Sequence, residues 1–351
     1  MTPTKGYAAQ NAQDALAPFD ITRRVAGPND VEIEILYCGV CHSDLHQVRN
    51  EWVETWGSTT YPIVPGHEIV GRVIKIGSEV KKFKAGDTVG VGFLVDSCRE
   101  CDKCEKGLEQ FCRNGATVTF NSTDKISGGV TYGGYSKLIV VNEDFVLKIS
   151  DKLPPANVAP LLCAGITTYS PLRHWKVGKG HRVAVAGLGG LGHMAVKMAA
   201  SFGAEVTMLS SSPEKEQDAR NLGAHHFALT KNEEQIKSLT GKFDFIIDTI
   251  PATHDYNMYL NMLDVDGVMI CLCAPPVPGI VKSNSLSNGR KSLAGSSIGG
   301  LPETQEMLDY CAEHNITADV EVVDMAYINE AYVRMLKGDV KYRFVIDMAT
   351  L

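Results

Sequence analysis

The sequence lacks a long hydrophobic run, a concentrated charge of one sign, and any repeated or low-complexity segment. No apolar stretch approaches the roughly 20 residues of a membrane-spanning helix, and the opening segment MTPTKGYAAQNAQDALAPFD has no apolar core of the kind that a secretory signal needs. The net charge of -7 is dispersed, so no basic face for nucleic acid or an anionic membrane is indicated. These absences predict a cytoplasmic protein that binds neither nucleic acid nor membrane.

The size of the chain argues against disulfides as its source of stability. Its 351 residues exceed the size at which one hydrophobic core usually stops growing, which predicts two domains. Ten cysteines are present, but a chain of this size does not need covalent cross-links, and several of the cysteines cluster at spacings typical of metal sites. We therefore interpret them as reduced thiols, some of which bind metal.

Strand and helix patterns divide the chain into three segments. Residues 1–151 carry short β-type runs such as DVEIEILYCGV, separated by glycine turns, which indicates a β-rich domain. In residues 152–297, strands such as HRVAVAGLGG alternate with helices such as LGHMAVKMAASFGA, the pattern of a doubly wound parallel sheet. Residues 298–351 show a helix, a strand, a helix and a strand that we expect to return to the first domain. The predicted fold class is α/β.

A four-cysteine lobe at about residues 96–113 predicts a structural zinc site. The run SCRECDKCEKGLEQFC has the spacing C-x2-C-x2-C-x7-C, which lets four thiolates converge on one tetrahedral ion. An iron–sulfur cluster or two disulfides are the alternatives. A closed four-thiolate site has no open position for substrate, so the expected role is stabilisation of a loop. The four predicted ligands are Cys98, Cys101, Cys104 and Cys112.

A glycine-rich turn predicts a dinucleotide site. The motif G-x-G-x-x-G follows an apolar strand and precedes a helix, where glycines allow a tight turn and close approach of a pyrophosphate to the helix N-terminus. A structural glycine turn without a nucleotide is the alternative. The predicted contacts are Gly187, Leu188, Gly189, Gly190, Leu191 and Gly192.

The end of the next predicted strand favours NADP(H) over NAD(H). An NAD site usually has an acidic residue there for the ribose hydroxyls. This sequence has Ser210, Ser211 and Ser212 instead, followed by Lys215. Hydroxyl groups can donate to a 2'-phosphate and a lysine can pair with its charge. The alternative is a serine-rich helix N-cap with an exposed lysine.

Five motifs together resemble a known family. GVCHSDLH, PGHEIVGRV, the four-cysteine lobe, LLCAGITTYSPL and GLGGLG occur in the order found in zinc-dependent medium-chain alcohol dehydrogenases. Within that superfamily the chain resembles the cinnamyl alcohol dehydrogenase group, which includes microbial broad-range aldehyde reductases. The resemblance extends over nearly the whole chain. It implies a GroES-like first domain, a Rossmann second domain, and a homodimer joined edge to edge near SLAGSSIGG, with a tetramer as the alternative.

The resemblance also implies a catalytic zinc held by Cys41, His67 and Cys163, with Glu68 as an occasional or resting fourth ligand. The chemistry of the donor set agrees, because two thiolates and one imidazole leave the fourth tetrahedral position open and give a site that is neutral overall. Considered singly, Cys163 could equally be a core thiol and His67 a hydrogen-bonded turn histidine.

The segment GVCHSDLH, which contains Cys41, also carries a proton relay that the resemblance implies. Ser43 matches the hydroxyl residue that hydrogen-bonds the substrate oxygen in the family, and His46 matches the histidine that passes the proton toward solvent. Asp44 is expected to orient the zinc ligands through hydrogen bonds. His42 is expected to have a structural or coenzyme-edge role.

The implied reaction is reversible hydride transfer between NADP(H) and an aromatic or medium-chain aldehyde or alcohol, with two zinc ions per chain. Thr167 is expected near the nicotinamide, and Trp52 and Trp56 either form a substrate wall or pack between domains. The alternatives are reduction of a conjugated C=C or C=N bond on the same fold, and a nucleotide-binding sensor without turnover.

Overall fold

The computed structural model describes residues 1–273, 275, 277 and 279–351, with only the backbone described at Thr55 and Trp56. The chain forms two compact units. Unit 1 comprises residues 1–163 and 299–351, and unit 2 comprises residues 164–298. Within the described part of the chain, no helix combines the length and apolarity needed to cross a bilayer.

The strands are short and are numbered in chain order. Most show the alternating or continuous burial expected of strands with one or both faces covered. They are β1 (Thr2–Ala8), β2 (Ala17–Arg23), β3 (Asp30–Gly39), β4 (Ile69–Ile76), β5 (Thr88–Val91), β6 (Leu94–Asp96), β7 (Thr117–Val118), β8 (Leu138–Asn142), β9 (Leu147–Lys148), β10 (Arg182–Ala186), β11 (Glu205–Ser210), β12 (His226–Leu229), β13 (Phe243–Asp248), β14 (Leu263–Cys271), β15 (Ser292–Gly295), β16 (Val320–Asp324) and β17 (Arg343–Asp347).

The α-helices are concentrated after residue 150, as the change of sequence pattern predicted. They are α1 (His42–Val48), α2 (Val53–Trp56), α3 (Pro155–Val158), α4 (Ala164–His174), α5 (Gly192–Ser201), α6 (Glu216–Asn221), α7 (Glu233–Ser238), α8 (Tyr256–Met262), α9 (Ser283–Ser287), α10 (Leu301–His314) and α11 (Ile328–Leu336).

Unit 1 is organised by a sheet with strand order β16-β17-β3-β4-β5-β9, in which β8 also pairs with β3. Val31, Ile33 and Ile35 of β3 are buried in its core. The C-terminal strand β17 pairs antiparallel with β3, so that Val345 lies opposite Gly39. This pairing brings residues from the end of the chain beside the segment that follows β3, which contains Cys41.

Unit 2 is a six-stranded parallel sheet with the order β12-β11-β10-β13-β14-β15, which confirms the predicted doubly wound fold. The direction of strand progression reverses between β10 and β13. In open parallel sheets, ligands bind at this reversal, outside the carboxyl ends of the strands. The glycine turn follows β10 and therefore lies at this point.

Two helical segments contain a 3-10 turn before the α-helix. The segment SPEKEQDARNLGA begins with a 3-10 turn at Pro213–Lys215 and continues as α6, because proline fixes the backbone at the entry. In LLCAGITTY, Cys163 has φ −129° and ψ −71° and separates a 3-10 turn at Ala159–Leu162 from α4.

Candidate metal centres and coenzyme site

Asp44 connects the two segments that carry the first metal-binding candidates. Cys41 precedes α1 in an extended conformation, and Asp44, in the first turn, accepts a hydrogen bond from the Cys41 backbone N–H at 2.9 Å. Asp44 also accepts from the Gly66 N–H at 3.1 Å and from His67 Nδ1 at 2.9 Å. The Tyr135 hydroxyl donates to the same carboxylate at 3.2 Å. One buried carboxylate therefore sets the positions of both Cys41 and His67.

The structure brings Cys41, His67, Glu68 and Cys163 together. Their ligand atoms all lie within 4.8 Å of one another, and all four residues are buried. The sulfurs of Cys41 and Cys163 are 3.9 Å apart, close to the ~3.8 Å expected for two sulfurs bound to one tetrahedral zinc at about 2.3 Å. Because His67 uses Nδ1 to bond Asp44, Nε2 is its available ligand atom. The donor set fits zinc.

The thiols of Cys41 and Cys163 are joined by a hydrogen bond, in which one proton lies between the two sulfurs and either sulfur can be the donor. The hydrogen bond from Cys163 lowers the pKa of Cys41 well below its ordinary value despite burial, with help from the charge of Arg343. The same contact, together with burial, raises the pKa of Cys163. A bound divalent cation would replace this proton, because zinc binds thiolates rather than thiols.

Glu68 is held by a residue that sequence reasoning missed. Arg343, the first residue of β17, donates to Glu68 Oε1, and both side chains are buried. Burial raises the pKa of Glu68 to about 7, although Arg343 opposes this. Glu68 Oε2 is buried and has no hydrogen-bond partner among the described residues. A Cβ at Gly39 would lie 1.9 Å from that oxygen, so a side chain at this position would displace the Glu68 carboxylate.

The predicted relay residues lie on α1, three positions apart and hence on one side of the helix. Ser43 Oγ is 3.6 Å from Cys41 Sγ, beside the metal-binding candidates. His46 Nδ1 lies 2.6 Å from Glu51 Oε2, and its ring stacks on Trp52 at a centroid distance of 5.1 Å. Sequence reasoning missed Glu51, because a carboxylate five residues from a histidine is not a motif.

The four-cysteine lobe is assembled as its spacing predicted. Its sulfurs lie within 4.8 Å of one another, with Cys101 and Cys104 3.6 Å apart. The backbone N–H of Arg113 donates to Cys101 Sγ, and such backbone donors lower the pKa of Cys101 to about 6. Glu109, within the lobe, accepts from the Leu301 N–H at 2.9 Å and so ties the lobe to the start of α10. The arrangement fits a closed, structural zinc site.

The glycine turn between β10 and α5 contains two glycines that the backbone requires and one that it does not. Gly187 has φ +91°, a backbone conformation that residues other than glycine rarely adopt. A Cβ at Gly192 would lie 1.9 Å from the Gly187 carbonyl oxygen, so α5 packs directly against the turn. A Cβ at Gly189 would meet nothing within 4 Å. That position is therefore not required for protein packing and leaves room for a ligand to approach the backbone, as a pyrophosphate requires.

The serine segment differs from the simple N-cap interpretation. Ser212 precedes the 3-10 turn but makes no side-chain cap hydrogen bond. Ser210 is buried and accepts from the Ser212 N–H at 3.2 Å, whereas Ser211 is exposed. Lys215 Nζ donates to the Leu188 carbonyl at 2.9 Å, which places a cation beside the glycine turn. No acidic residue ends β11.

The structure places Thr167 and His42 but does not test their predicted roles, and the side chain of Trp56 is not described. Thr167 is buried in α4 of unit 2. His42 is half-buried, with its ring 6.2 Å from that of His46. The predicted substrate-wall role of Trp56 concerns a side chain outside the described residues.

Comparison with known proteins identifies the class. The alcohol dehydrogenase GroES-like domain matches residues 27–151, and the zinc-binding dehydrogenase family matches residues 190–313. An aldehyde reductase of Escherichia coli is 53% identical over 351 residues, covering 99% of each chain. An NADP-dependent alcohol dehydrogenase C of Mycobacterium tuberculosis is 52% identical over 351 residues, covering 100% of each chain.

Solved structures agree with these matches. A cinnamyl alcohol dehydrogenase of Sorghum bicolor has a TM-score of 0.95 and 45% identity, covering 99% of this chain and 98% of that chain. A cinnamyl alcohol dehydrogenase of Helicobacter pylori, solved with NADP(H), has a TM-score of 0.92 and 42% identity, covering 99% of each chain. The chain belongs to the zinc-binding alcohol dehydrogenases, and within them to the cinnamyl alcohol dehydrogenase group. The predicted family, fold class and use of zinc are confirmed.

Proposed function

We propose that the protein is a zinc- and NADP(H)-dependent alcohol dehydrogenase that reduces aromatic or medium-chain aldehydes and catalyses the reverse oxidation. The observation that carries the proposal is the convergence of Cys41, His67 and Cys163 on one buried point, next to the hydroxyl of Ser43. Zinc, when bound, supplies a Lewis acid for a carbonyl oxygen, and NADPH supplies the hydride.

The residues around the metal centre have distinct proposed roles. Ser43 positions the oxygen of the substrate and donates the proton, because its hydroxyl lies beside Cys41 and supplies the one rotatable O–H that this step needs. His46, hydrogen-bonded to Glu51 and half-exposed, returns that proton from solvent. Asp44 positions His67 and Cys41. Glu68 serves as the occasional fourth ligand, restrained by Arg343.

The coenzyme preference follows from the end of β11 and the lysine beside the turn. Gly187, Leu188, Gly189, Gly190, Leu191 and Gly192 form the proposed pyrophosphate site, with Thr167 near the nicotinamide. Ser211 and Ser212 are available as donors to a 2'-phosphate, and Lys215 supplies a positive charge. Ser210 supports the segment through its bond to Ser212. Strand β11, which the structure describes in full, ends in Ser210 and has no carboxylate at that end to repel the phosphate.

An aldehyde panel assayed with each coenzyme tests the proposal. Aliphatic, benzyl and cinnamyl aldehydes would be reduced with NADPH and with NADH, and zinc would be quantified by atomic emission. We expect about two zinc ions per chain, higher kcat/KM with NADPH, and conversion of cinnamaldehyde to cinnamyl alcohol. Saturation of its C=C bond would support the alternative reductase function. One zinc per chain and no turnover would support a sensor.

The proposed assembly is a homodimer of a cytoplasmic enzyme. Strand β15 lies at the edge of the sheet of unit 2, and Leu293 on it is 37% exposed. An edge strand presents unpaired backbone groups that a second copy can complete. The assignment of catalysis to residues 1–151 and 298–351, and of coenzyme binding to residues 152–297, is part of the same proposal.

A further inference from the structure

The segment that follows β13 forms a wall of the glycine turn. Ala186 and Asp248 are paired residues at the ends of β10 and β13. Thr249 Oγ1 donates to the carbonyls of Ala186 and Gly187 at 2.8 and 2.9 Å. A Cβ at Gly187 would lie 3.1 Å from Ile250 Cγ1. Residues 249 and 250 therefore contact the turn directly, at the reversal of strand order where a ligand of such a sheet binds.

His254, in the segment after β13, lies within hydrogen-bond distance of Asp248, the last residue of that strand. His254 Nε2 lies 3.1 Å from Asp248 Oδ2, and His254 Nδ1 lies 2.8 Å from the Ala252 carbonyl oxygen. The side chain of Asp248 is 1% exposed and that of His254 is 12% exposed. Asp248 Oδ1 also accepts from the Ile250 N–H at 3.1 Å. The segment between these two residues is thus held at both ends.

The geometry matches the protonated form of the imidazole. Both ring nitrogens face oxygen acceptors, but a neutral imidazole carries only one N–H and can donate to only one of them. The imidazolium donates to both. Loss of the proton therefore removes one of the two hydrogen bonds that fix the segment.

The surroundings of His254 favour the positive charge. The carboxylates of Asp248 and Asp255 face it, and the rings of Tyr256 and Tyr259 lie 4.8 and 5.5 Å from its ring. From β14, the Cys271 thiol lies beside Asp248. Partial burial alone would lower the pKa of His254, but its bonds to Asp248 and Ala252 raise it above the ordinary value. The hydrogen-bonded conformation raises the pKa of His254. The stabilisation that these hydrogen bonds give is therefore present at low pH and is lost as pH rises through the raised pKa.

We propose that His254 and Asp248 form a proton-dependent clamp that positions residues 249–253 beside the glycine turn, so that NADPH binds more tightly when His254 is protonated. The inference rests on the proposed function only in taking NADPH as the ligand of this turn. His254 is a positioning residue, because it acts through the segment and does not touch the ligand.

The test is the dissociation constant of NADPH measured by fluorescence titration from pH 6.5 to pH 9. In this window the 2'-phosphate, with a pKa of about 6, is largely ionised and contributes little. In the wild type we expect NADPH to bind about fivefold more weakly at pH 9, the effect of losing one hydrogen bond. His254→Gln should abolish this pH dependence, since its amide does not titrate. His226→Gln, a change of an exposed histidine at the start of β12, is the matched control and should keep it.

A second measurement does not depend on how well a variant folds. Calorimetric titration of the wild type with NADPH, in buffers of different ionisation enthalpy, should show proton uptake near the midpoint of the wild-type pH dependence, because coupling between proton and ligand is reciprocal. Equal pH dependence in the wild type and His254→Gln, or no proton uptake, would overturn the clamp. Failure to bind NADPH at any pH would instead overturn the proposed function.

Discussion

At the scale of single residues, Ser43 is the most direct test of the chemistry. Its hydroxyl lies 3.6 Å from Cys41 Sγ and makes no contribution to the donor set of the metal. Ser43→Ala should therefore lower kcat by about 10²- to 10⁴-fold, the range for loss of a positioned proton donor, while zinc content is unchanged. Steady-state kinetics and metal analysis on the same preparation check this.

Ser78→Ala is the matched control for that substitution, because Ser78 is exposed in the turn after β4 of the same unit. It should have wild-type turnover. Normal turnover of Ser43→Ala would remove Ser43 from the mechanism.

A second residue-scale prediction concerns the buried ion pair. Arg343→Met leaves the Glu68 carboxylate buried without its partner, and uncompensated buried charges typically destabilise a protein by about 3–5 kcal/mol. We expect a lower Tm by calorimetry, partly restored by adding Glu68→Gln, which removes the charge that lost its partner. Arg72→Met, on an exposed position of β4, should unfold like the wild type. Equal Tm values for the two arginine variants would show that the pair contributes nothing.

At the scale of elements, two substitutions in the turn between β10 and α5 distinguish a glycine needed for protein packing from a glycine needed for coenzyme binding. Gly192→Ala places a Cβ 1.9 Å from the Gly187 carbonyl, so α5 must shift, and we expect both a destabilisation of about 1–3 kcal/mol and loss of NADPH binding. Gly189→Ala meets no protein atom within 4 Å and should leave the Tm unchanged, but weaken NADPH binding about tenfold or more by crowding the pyrophosphate.

The two variants control for each other when the Tm without coenzyme and the NADPH affinity are measured on both. If Gly189→Ala binds NADPH like the wild type, the pyrophosphate does not approach the turn at this position.

The sequence predicted the local motifs of the metal centres and the coenzyme site more accurately than it predicted the long-range hydrogen bonds that hold their residues in place. The glycine turn and the four-cysteine lobe are local motifs, so spacing alone identified them. Interactions that support the sites, such as Arg343 with Glu68 across 275 positions, have no local signal and depend on the pairing of β17 with β3. The break at Cys163 also has no local signal, because it lies between two helical segments.

At the scale of the whole molecule, the proposed homodimer would join two copies at β15. Light scattering should give twice the chain mass of 38.1 kDa. Leu293→Lys places a charge on this edge, a device by which natural edge strands avoid pairing, and should shift the mass toward the monomer.

Val322→Lys is the control, since Val322 is 51% exposed on β16, an edge strand of the seven-stranded sheet of unit 1. It should remain dimeric. A monomeric wild type, or a Leu293→Lys variant with unchanged mass, would contradict an interface at β15.

The sequence by itself determined the alternation of strands and helices in unit 2, the four-cysteine lobe and the glycine turn, because each depends on residues close together in the chain. It supplied the donors Cys41, His67 and Cys163, but only the tertiary structure decided that they meet, since they lie on three separate segments. The same holds for the carboxylate of Asp44 between two ligand segments and for His254 beside Asp248. Hydrogen bonds of this kind act over about 3 Å, and a sequence specifies such distances only through the complete fold.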